Sequence, residues 1–573
     1  MSYKSLLECI LDLEKNGEVK NISNKIDPNL EAASIHLNEF SKSGKAIFFH
    51  NLKGTKYRAV SNLFGTINRS KYIFRDSLQI VKDFVAIKIN PITILKNPIR
   101  GIITLLHGIY AIPKKVKFKG FEEINIQDLP QIKCWKDDGG AFITLPQVYS
   151  EDIENPGIFN SNLGMYRIQI SGNDYKQNKE VGMHYQLHRG IGIHQKKANQ
   201  KGDSLKVSIF VGGPPAHTFA AVMPLPEGMS EISFAGVLAK RRFRYSIKDG
   251  YMISIDADFV ICGELHKNDL KLEGPFGDHL GYYSLKHDFP VLRVKRVLAK
   301  KNGVWPFTVV GRPPQEDSQF GKLIHEMTGK AVEKEIPGLL AVNAVDAAGV
   351  HPLLLAIGSE RYTPYNPTRK PQEILTIAHH ILGTGQLSLA KYLFICDEDK
   401  TLDIYNEKAF FTHFLQRVDW QRDLHFQTKT TIDTLDYSGE GLNEGSKVVV
   451  AAAGEVKRKL TKTLPDLEMS SNFFNPKLVS NGNLVIEGNG DIEKLVSCLE
   501  KQNITGIALI TLVDDATFVS KNFSNWLWVT FTRSNPANDI YGLHSENKNK
   551  HFSCSIPVID ARIKPHHAPV LER

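Results

Sequence analysis

Lys206-Val-Ser-Ile-Phe-Val211, closed by Gly212-Gly-Pro-Pro-Ala216, is a β-favouring run stopped by two glycines and two prolines. Runs of the same kind recur at Ala141–Leu145, Tyr166–Ile170, Asp258–Ile261 and Pro290–Val294, separated by Gly- and Pro-bearing segments. Short strands at such intervals predict a β-barrel or sandwich core over residues 126–318. Upstream, Leu6, Leu7, Ile10, Leu11 and Leu13 have helical spacing, ended by Asn16-Gly17. Strand-like Glu18–Ile22, Ala46–Phe49 and Tyr57–Val60, with helical periodicity over Tyr72–Asn90, complete an N-terminal α/β unit over 1–125. Downstream, helical stretches alternate with apolar strands such as Lys391–Cys396 and Gly506–Leu512, the pattern of an α/β layered domain over 319–573. The expected fold class is therefore α+β in three parts. One faint echo exists: Leu415–Asp423 and Phe531–Asp539 each hold an Arg and an Asp at the same separation, which chance alone could supply.

Composition excludes several classes. The 573 residues carry 71 basic and 62 acidic side chains, a net +9 spread along the whole chain, so no nucleic-acid partner is expected. The six cysteines (Cys9, Cys134, Cys262, Cys396, Cys498, Cys554) contain no Cys-x-x-Cys pair, as in a reduced cellular interior. The start, Met1-Ser-Tyr-Lys-Ser-Leu-Leu-Glu8, lacks a basic stretch followed by an apolar one. The most apolar long stretch, Ile92–Ile112, is broken by Lys96, Asn97, Pro98, Arg100 and His107, short of the roughly 20 clean residues of a membrane span. A soluble cytoplasmic protein is expected. The segment 91–120 is expected to hold a buried core helix, with a partner-facing or membrane-facing surface over Lys96–Lys119 as the alternative.

Several familiar motifs fail. Gly190-Ile-Gly192-Ile-His-Gln195 has two glycines at dinucleotide-loop spacing but no third, and no strand-turn-helix context is evident. His184-Tyr-Gln-Leu-His188 spaces two imidazoles four apart without the glutamate of a zinc protease. No phosphate-binding G-x-x-x-x-G-K-[ST] and no G-x-S-x-G is present. What remains is a polar set in constrained turns. Asn162, His184 and Glu231 offer two oxygens and a nitrogen suited to a divalent ion such as Mn or Mg, although each alone reads equally as a turn cap, a core histidine or a helix start. Glu273-Gly-Pro-Phe-Gly-Asp278 holds two carboxylates on a stiff loop. One of them, beside Arg167, would stay ionised while the other could donate a proton.

These constellations resemble the UbiD family of reversible decarboxylases, whose cofactor is prenylated FMN. The likeness rests on Val60–Thr66, Asn162–Arg167, His188–Gly190, Gly212–Ala216, Met223–Glu231, Glu273–Tyr283, Thr308–Pro314 and Gly445–Lys447, in the same order and at similar spacing. It implies that the central part is a split β-barrel that binds the flavin. It also implies that Asn162, His184 and Glu231 hold a divalent metal, usually Mn2+, with K+ often nearby, and that Lys447 contacts the cofactor phosphate. Met165, Tyr166, Arg167, His184, Tyr185, Gln186, Arg189 and Gly190 correspond to positions around the cofactor, and Arg167, Glu273 and Asp278 to the catalytic acid–arginine–acid network. The sequence departs from the family at Cys262, where a carboxylate is common, and the last hundred residues resemble only longer members.

The resemblance implies decarboxylation of an aromatic or α,β-unsaturated acid, with a polyprenyl-4-hydroxybenzoate or related quinone-pathway acid as one candidate. Its other implications are a flavin prenyltransferase as cofactor supplier, a homo-oligomer (dimer or hexamer) and peripheral contact with the inner membrane if the substrate is polyprenylated. An ordinary FMN oxidoreductase and a non-catalytic assembly partner are the rival readings. The Glu273/Asp278 loop beside Arg167 argues against the first and the intact polar set against the second.

Overall fold

A computed structural model describes residues 3–89, 98–185, 190–225, 230–328, 331–366 and 368–571. The fold is mixed α+β, and its contacts divide the chain into two units. Unit 1 takes residues 1–278, 282–331 and 570–573; unit 2 takes 279–281 and 332–569.

Unit 1 is built on an antiparallel sheet of nine strands among the described residues. Its order is Phe142–Ile143, Ile168–Gln169, Glu180–Met183, His287–Ala299, Phe259–Glu273, Leu205–Val211, Gln147–Glu151 and Ser161–Gly164, with Glu122–Ile124 added against His287–Ala299. The sequence runs fall on the inner strands. Phe259–Glu273 and His287–Ala299 extend well beyond their apolar cores as a long twisted ribbon whose outer half, from His266 to Leu272, carries mostly exposed residues. A second sheet, Val19–Ile26, Ala46–Leu52, Arg58–Ser61 and Val304–Phe307, joins the chain's start to the strand after the ribbon. The segment expected as one helix over Tyr72–Asn90 is instead two helices, Ile67–Ile73 and Leu78–Ile89. Thr66 caps the first, accepting from Arg69 N at 3.2 Å, and the turn through Phe74–Ser77 separates them. Gly190–Lys201 is also a helix, following the strand Glu180–Met183. Its Gly-Ile-Gly start has poor intrinsic propensity, and the buried stripe Ile191, His194, Ala198 supplies the tertiary packing that propensity does not. Pro98–His107, finally, is no core helix: its large aliphatic side chains are exposed.

Unit 2 contains two five-stranded sheets of identical topology. In the first, Leu353–Gly358, Tyr392–Asp397 and Glu444–Ala452 run parallel, flanked by antiparallel Leu339–Ala344 and Leu424–Thr431. In the second, Asn483–Gly488, Leu509–Val513 and Ile556–Asp560 run parallel, flanked by antiparallel Phe473–Ser480 and Ile540–Leu543. In both, helices follow the first and second parallel strands, and the last two strands in chain order exchange places in the sheet. The Arg/Asp echo falls on equivalent places, between the second helix and the edge strand. Asp423 Oδ2 accepts from Asp419 N at 2.8 Å, and Asp539 Oδ2 accepts from Asn535 N at 2.6 Å, each four residues back. Unit 2 is therefore a duplicated module.

Candidate functional site

The centre of the site is Arg167, in the short connection between strands Ser161–Gly164 and Ile168–Gln169. Its Nε and Nη2 donate to the two oxygens of Glu273, at 2.8 and 2.7 Å, a bidentate pair in which Glu273 is fully buried. Nη1 donates to Asp278 Oδ2, and Nη2 also donates to Ser284 Oγ at 2.9 Å. The guanidinium lies over the Phe276 ring, 4.8 Å from its centroid. Burial alone would push Glu273 up, but the adjacent Arg167 charge and the His184 hydrogen bond outweigh it and hold the carboxyl at about 2. It is an ionised anchor at neutral pH.

The loop that carries Asp278 is fixed by groups that sequence inspection missed. Asp138 Oδ1 accepts from Gly277 N at 2.7 Å, while its Oδ2 accepts from Trp135 N at 2.9 Å and Cys134 N at 3.2 Å. Gln169 Oε1 accepts from Gly274 N, and Ser284 Oγ from Phe276 N. Gly277 packs so closely on Trp135 that an added Cβ would meet the indole at 2.0 Å, which restricts the position to glycine. The only signal for Asp138 in the sequence is an Asp three residues after Trp135, a common turn pattern that points to no particular partner.

His184 follows the strand Glu180–Met183, and its backbone N donates to Arg167 O at 3.3 Å. Its ring stacks on Phe289 at 4.1 Å and its Nδ1 faces Glu273 Oε2 at 3.3 Å. Burial, then the Arg167 charge, lowers its pKa, so the imidazole is neutral; the carboxylate selects the Nδ1–H tautomer. Nε2 is then a bare lone pair, buried and without a partner. Asn162 accepts from Tyr166 Oη at 3.3 Å through Oδ1, and its Nδ2 is likewise buried without a partner. Gly190 lies against it, since a Cβ there would come within 2.5 Å of Oδ1. Glu231 opens the helix Glu231–Leu238 and accepts from Leu163 N, the residue after Asn162, at 3.4 Å. Burial pushes its carboxyl up. A neutral imidazole with a bare nitrogen, an orphaned amide and a buried carboxylate without a cationic partner among the described residues form a donor set that a divalent cation would satisfy. Among the described residues no three His, Cys, Asp or Glu side chains cluster as a cation site, and this set reaches three only through Asn162.

The remaining predicted residues are placed as follows. Met165 N donates to Ala221 O at 2.9 Å, and the Tyr166 and Tyr185 rings meet edge to face at 6.2 Å. Gln186 and Arg189 lie outside the described residues. Cys262 is buried beside Ser208, whereas Glu264 accepts from Tyr251 Oη at 3.1 Å. Lys447 belongs to unit 2, in the strand Glu444–Ala452; it is buried, its Nζ donates to Ser388 O, and burial lowers it to about 8.

Comparison with known proteins matches this layout. Family models of the 3-octaprenyl-4-hydroxybenzoate carboxy-lyase match in their N-terminal domain at residues 10–88, Rift-related domain at 111–313 and C-terminal domain at 318–452. The last match ends at the close of the first five-stranded sheet of unit 2. A Chlamydia pneumoniae protein, named as one of the subunits of a 4-hydroxybenzoate decarboxylase, is 35% identical over 560 residues, 96% of this chain and 92% of the relative. Among solved structures, the closed form of vanillic acid decarboxylase from Sedimentibacter hydroxybenzoicus superposes with a TM-score of 0.67 at 21% identity, over 82% of this chain and 97% of that one. An evolved dimeric form of the UbiD-class enzyme HmfF from Pelotomaculum thermopropionicum, solved with prFMN, gives 0.58 at 17% identity, over 81% and 97%. Matched along its length by the three domain models and by a near full-length relative, the chain belongs to the UbiD family of carboxy-lyases.

Proposed function

We propose that the protein is a non-oxidative, reversible decarboxylase of an aromatic or α,β-unsaturated carboxylic acid, dependent on prenylated FMN and a divalent cation, Mn2+ or Mg2+. The observation that carries this reading is Arg167 gripped by an ionised glutamate on one side and Asp278 on the other, next to a donor set with two orphaned buried polar atoms. Asn162, His184 and Glu231 would hold the cation and Lys447 the cofactor phosphate, with the nine-stranded sheet as the split barrel of a three-part chain (1–125, 126–318, 319–573). Met165, Tyr166, Tyr185, Gln186, Arg189 and Gly190 would line the flavin. When bound, prenylated FMN supplies the electron sink for the carbon that loses CO2.

The chain's own residues orient and protonate. Arg167 attracts the substrate carboxylate, and Glu273, already ionised and doubly bonded, keeps the guanidinium plane from turning. A substrate carboxylate beside Asp278 favours the protonated form of that acid, which then delivers its proton to the carbon left by CO2. Glu273 also bonds His184, so it aligns the metal ligand and the arginine at once. The Chlamydia relative's name and the decarboxylases of similar fold support an aromatic acid, and a polyprenyl-4-hydroxybenzoate is the substrate we favour within that class. The designation of that relative as a subunit, and the dimeric HmfF form, support assembly into a homo-oligomer.

The test is decarboxylation of a panel of aromatic acids by protein co-expressed with a flavin prenyltransferase. Asp278→Asn should retain bound cofactor and lose turnover by roughly a thousandfold or more. Full activity in that variant, or ordinary FMN alone in an active wild-type enzyme, would refute the reading.

A further inference from the structure

We propose that the helix Pro98–His107 and the lysine-rich segment after it form a docking surface for an anionic lipid bilayer. The helix is turned inside out relative to an ordinary surface helix, which hides its large apolar side chains and shows its polar ones. Gly101 and Thr104 face the protein, and Gly108, just past the helix end, continues the stripe against the Phe84 ring. Ile102, Ile103, Leu105 and Leu106 point outward, continued by Ile109 and Ile112, and each is between 48% and 70% exposed. Together they present on the order of 600 Å2 of apolar surface, the upper end of what the largest patch of a soluble monomer normally reaches.

The charge lies where a lipid headgroup would be. Lys114, Lys115, Lys117 and Lys119 follow directly, all exposed, and no carboxylate among the described residues pairs with them. Large aliphatics beside a run of unpaired lysines are the composition of a helix that lies in the headgroup boundary. The helix is about 15 Å long, and no described helix is long and apolar enough to cross a membrane. It would therefore rest on the bilayer. The mounting is stiff. Arg242 donates through Nε to Ile112 O at 2.7 Å and through Nη2 to Pro113 O at 3.0 Å. Tyr110 O sits so close to Gly236 that a Cβ there would approach it to 2.0 Å. A second copy of the chain is the poorer occupant, because a two-fold contact through this face would bring its own lysines together.

Flotation of the purified chain with vesicles tests this without reference to turnover, so the proposal can fail while the catalytic reading stands, or the reverse. The chain should float with phosphatidylcholine–phosphatidylglycerol vesicles at low salt and be released by high salt. Phosphatidylcholine alone should float far less. Leu106→Glu with Ile109→Glu, and separately Lys115→Glu with Lys117→Glu, should each lower the bound fraction roughly tenfold, with circular dichroism melts unchanged because the replaced side chains are exposed. A third variant, Leu106→Trp, should show a blue-shifted emission when anionic vesicles are added. Failure of the wild type to float overturns the proposal, as does flotation that both double variants retain. A change of mass in light scattering caused by Leu106→Glu, without any vesicle binding by the wild type, would reassign the face to contact between copies.

Discussion

Glu273 is asked to hold a cation and a histidine at once, and its pH behaviour follows from that. In the unfolded chain it titrates near its ordinary 4.5; in the fold, despite burial, Arg167 and His184 hold it at about 2. A depressed folded pKa contributes stability that is fully present above about 4.5 and is lost as pH falls from there toward 2, worth about 3 kcal/mol at this separation. Glu273→Gln should abolish that acid dependence and, by leaving the buried guanidinium against a neutral amide, lower stability by about 3 kcal/mol at neutral pH. Denaturant melts across pH check it. Manganese content measured on the same protein should fall too, since an amide oxygen is a weaker tautomer-fixing acceptor for His184 Nδ1–H. Glu316 is the counterexample within the same unit. It accepts from Phe64 N at 2.6 Å, and full burial raises its carboxyl to about 7. A raised folded pKa has the opposite sign: the folded state holds the proton longer, so stability declines as pH rises from about 4.5 to 7, by about 3 kcal/mol. Glu316→Gln should flatten that slope and stabilise the protein at pH above about 7, which the same melts would show; an unchanged slope would mean that another group titrates there.

At the level of elements, the loop Gly274–Asp278 is the part on which the chemistry depends, and Asp138 is what holds it. Asp138→Ala removes the acceptor for Gly277 N, Trp135 N and Cys134 N together. The loop should shift by a fraction of an ångström to an ångström, with a loss in kcat of roughly a hundredfold. Cofactor content should stay unchanged, because neither the metal donors nor Lys447 is touched, and Asp138→Asn should restore part of the rate by keeping one acceptor oxygen. Equal losses of kcat and cofactor would instead mean that Asp138 supports the fold alone. The loop's carboxylates were readable from the sequence because Gly and Pro flank them and Arg167 precedes a strand. Asp138 was not, because a hydrogen bond spanning 139 positions leaves no local pattern. The same distinction runs through the fold. Inner strands such as Leu205–Val211 are apolar on both faces and were legible, whereas the outer half of Phe259–Glu273, with His266-Lys-Asn-Asp269, is a two-stranded ribbon whose residues face solvent and read as a loop. The helix Gly190–Lys201 escaped for a related reason: its stripe is half polar, with His194 bonded to Ser150 Oγ at 2.9 Å.

For the molecule as a whole, the duplication in unit 2 explains why the chain runs on beyond the C-terminal family match. Setting Asp423 on Asp539 brings Leu424 onto Ile540, and through the two sheet registers Lys447 onto Ile556. The second copy thus keeps the sheet and its capping aspartate but has an isoleucine where the first has its buried lysine, so it retains the fold without the proposed phosphate contact. Each unit owns apolar cores of its own. In unit 1, Leu571, at the chain's far end, is buried in a cluster with Trp135, Ile168 and Val309; in unit 2, Ile377 packs with Ile336, Leu393 and Val449. Separate cores predict that unfolding proceeds in two calorimetric transitions and not one. Leu571→Ala should lower only the transition of unit 1 and Ile377→Ala only that of unit 2, each by about 2–4 kcal/mol because both side chains leave cavities. Saturating Mn2+ should raise only the unit 1 transition, since Asn162, His184 and Glu231 all lie there. A single transition moved by both substitutions would show that the two cores unfold as one.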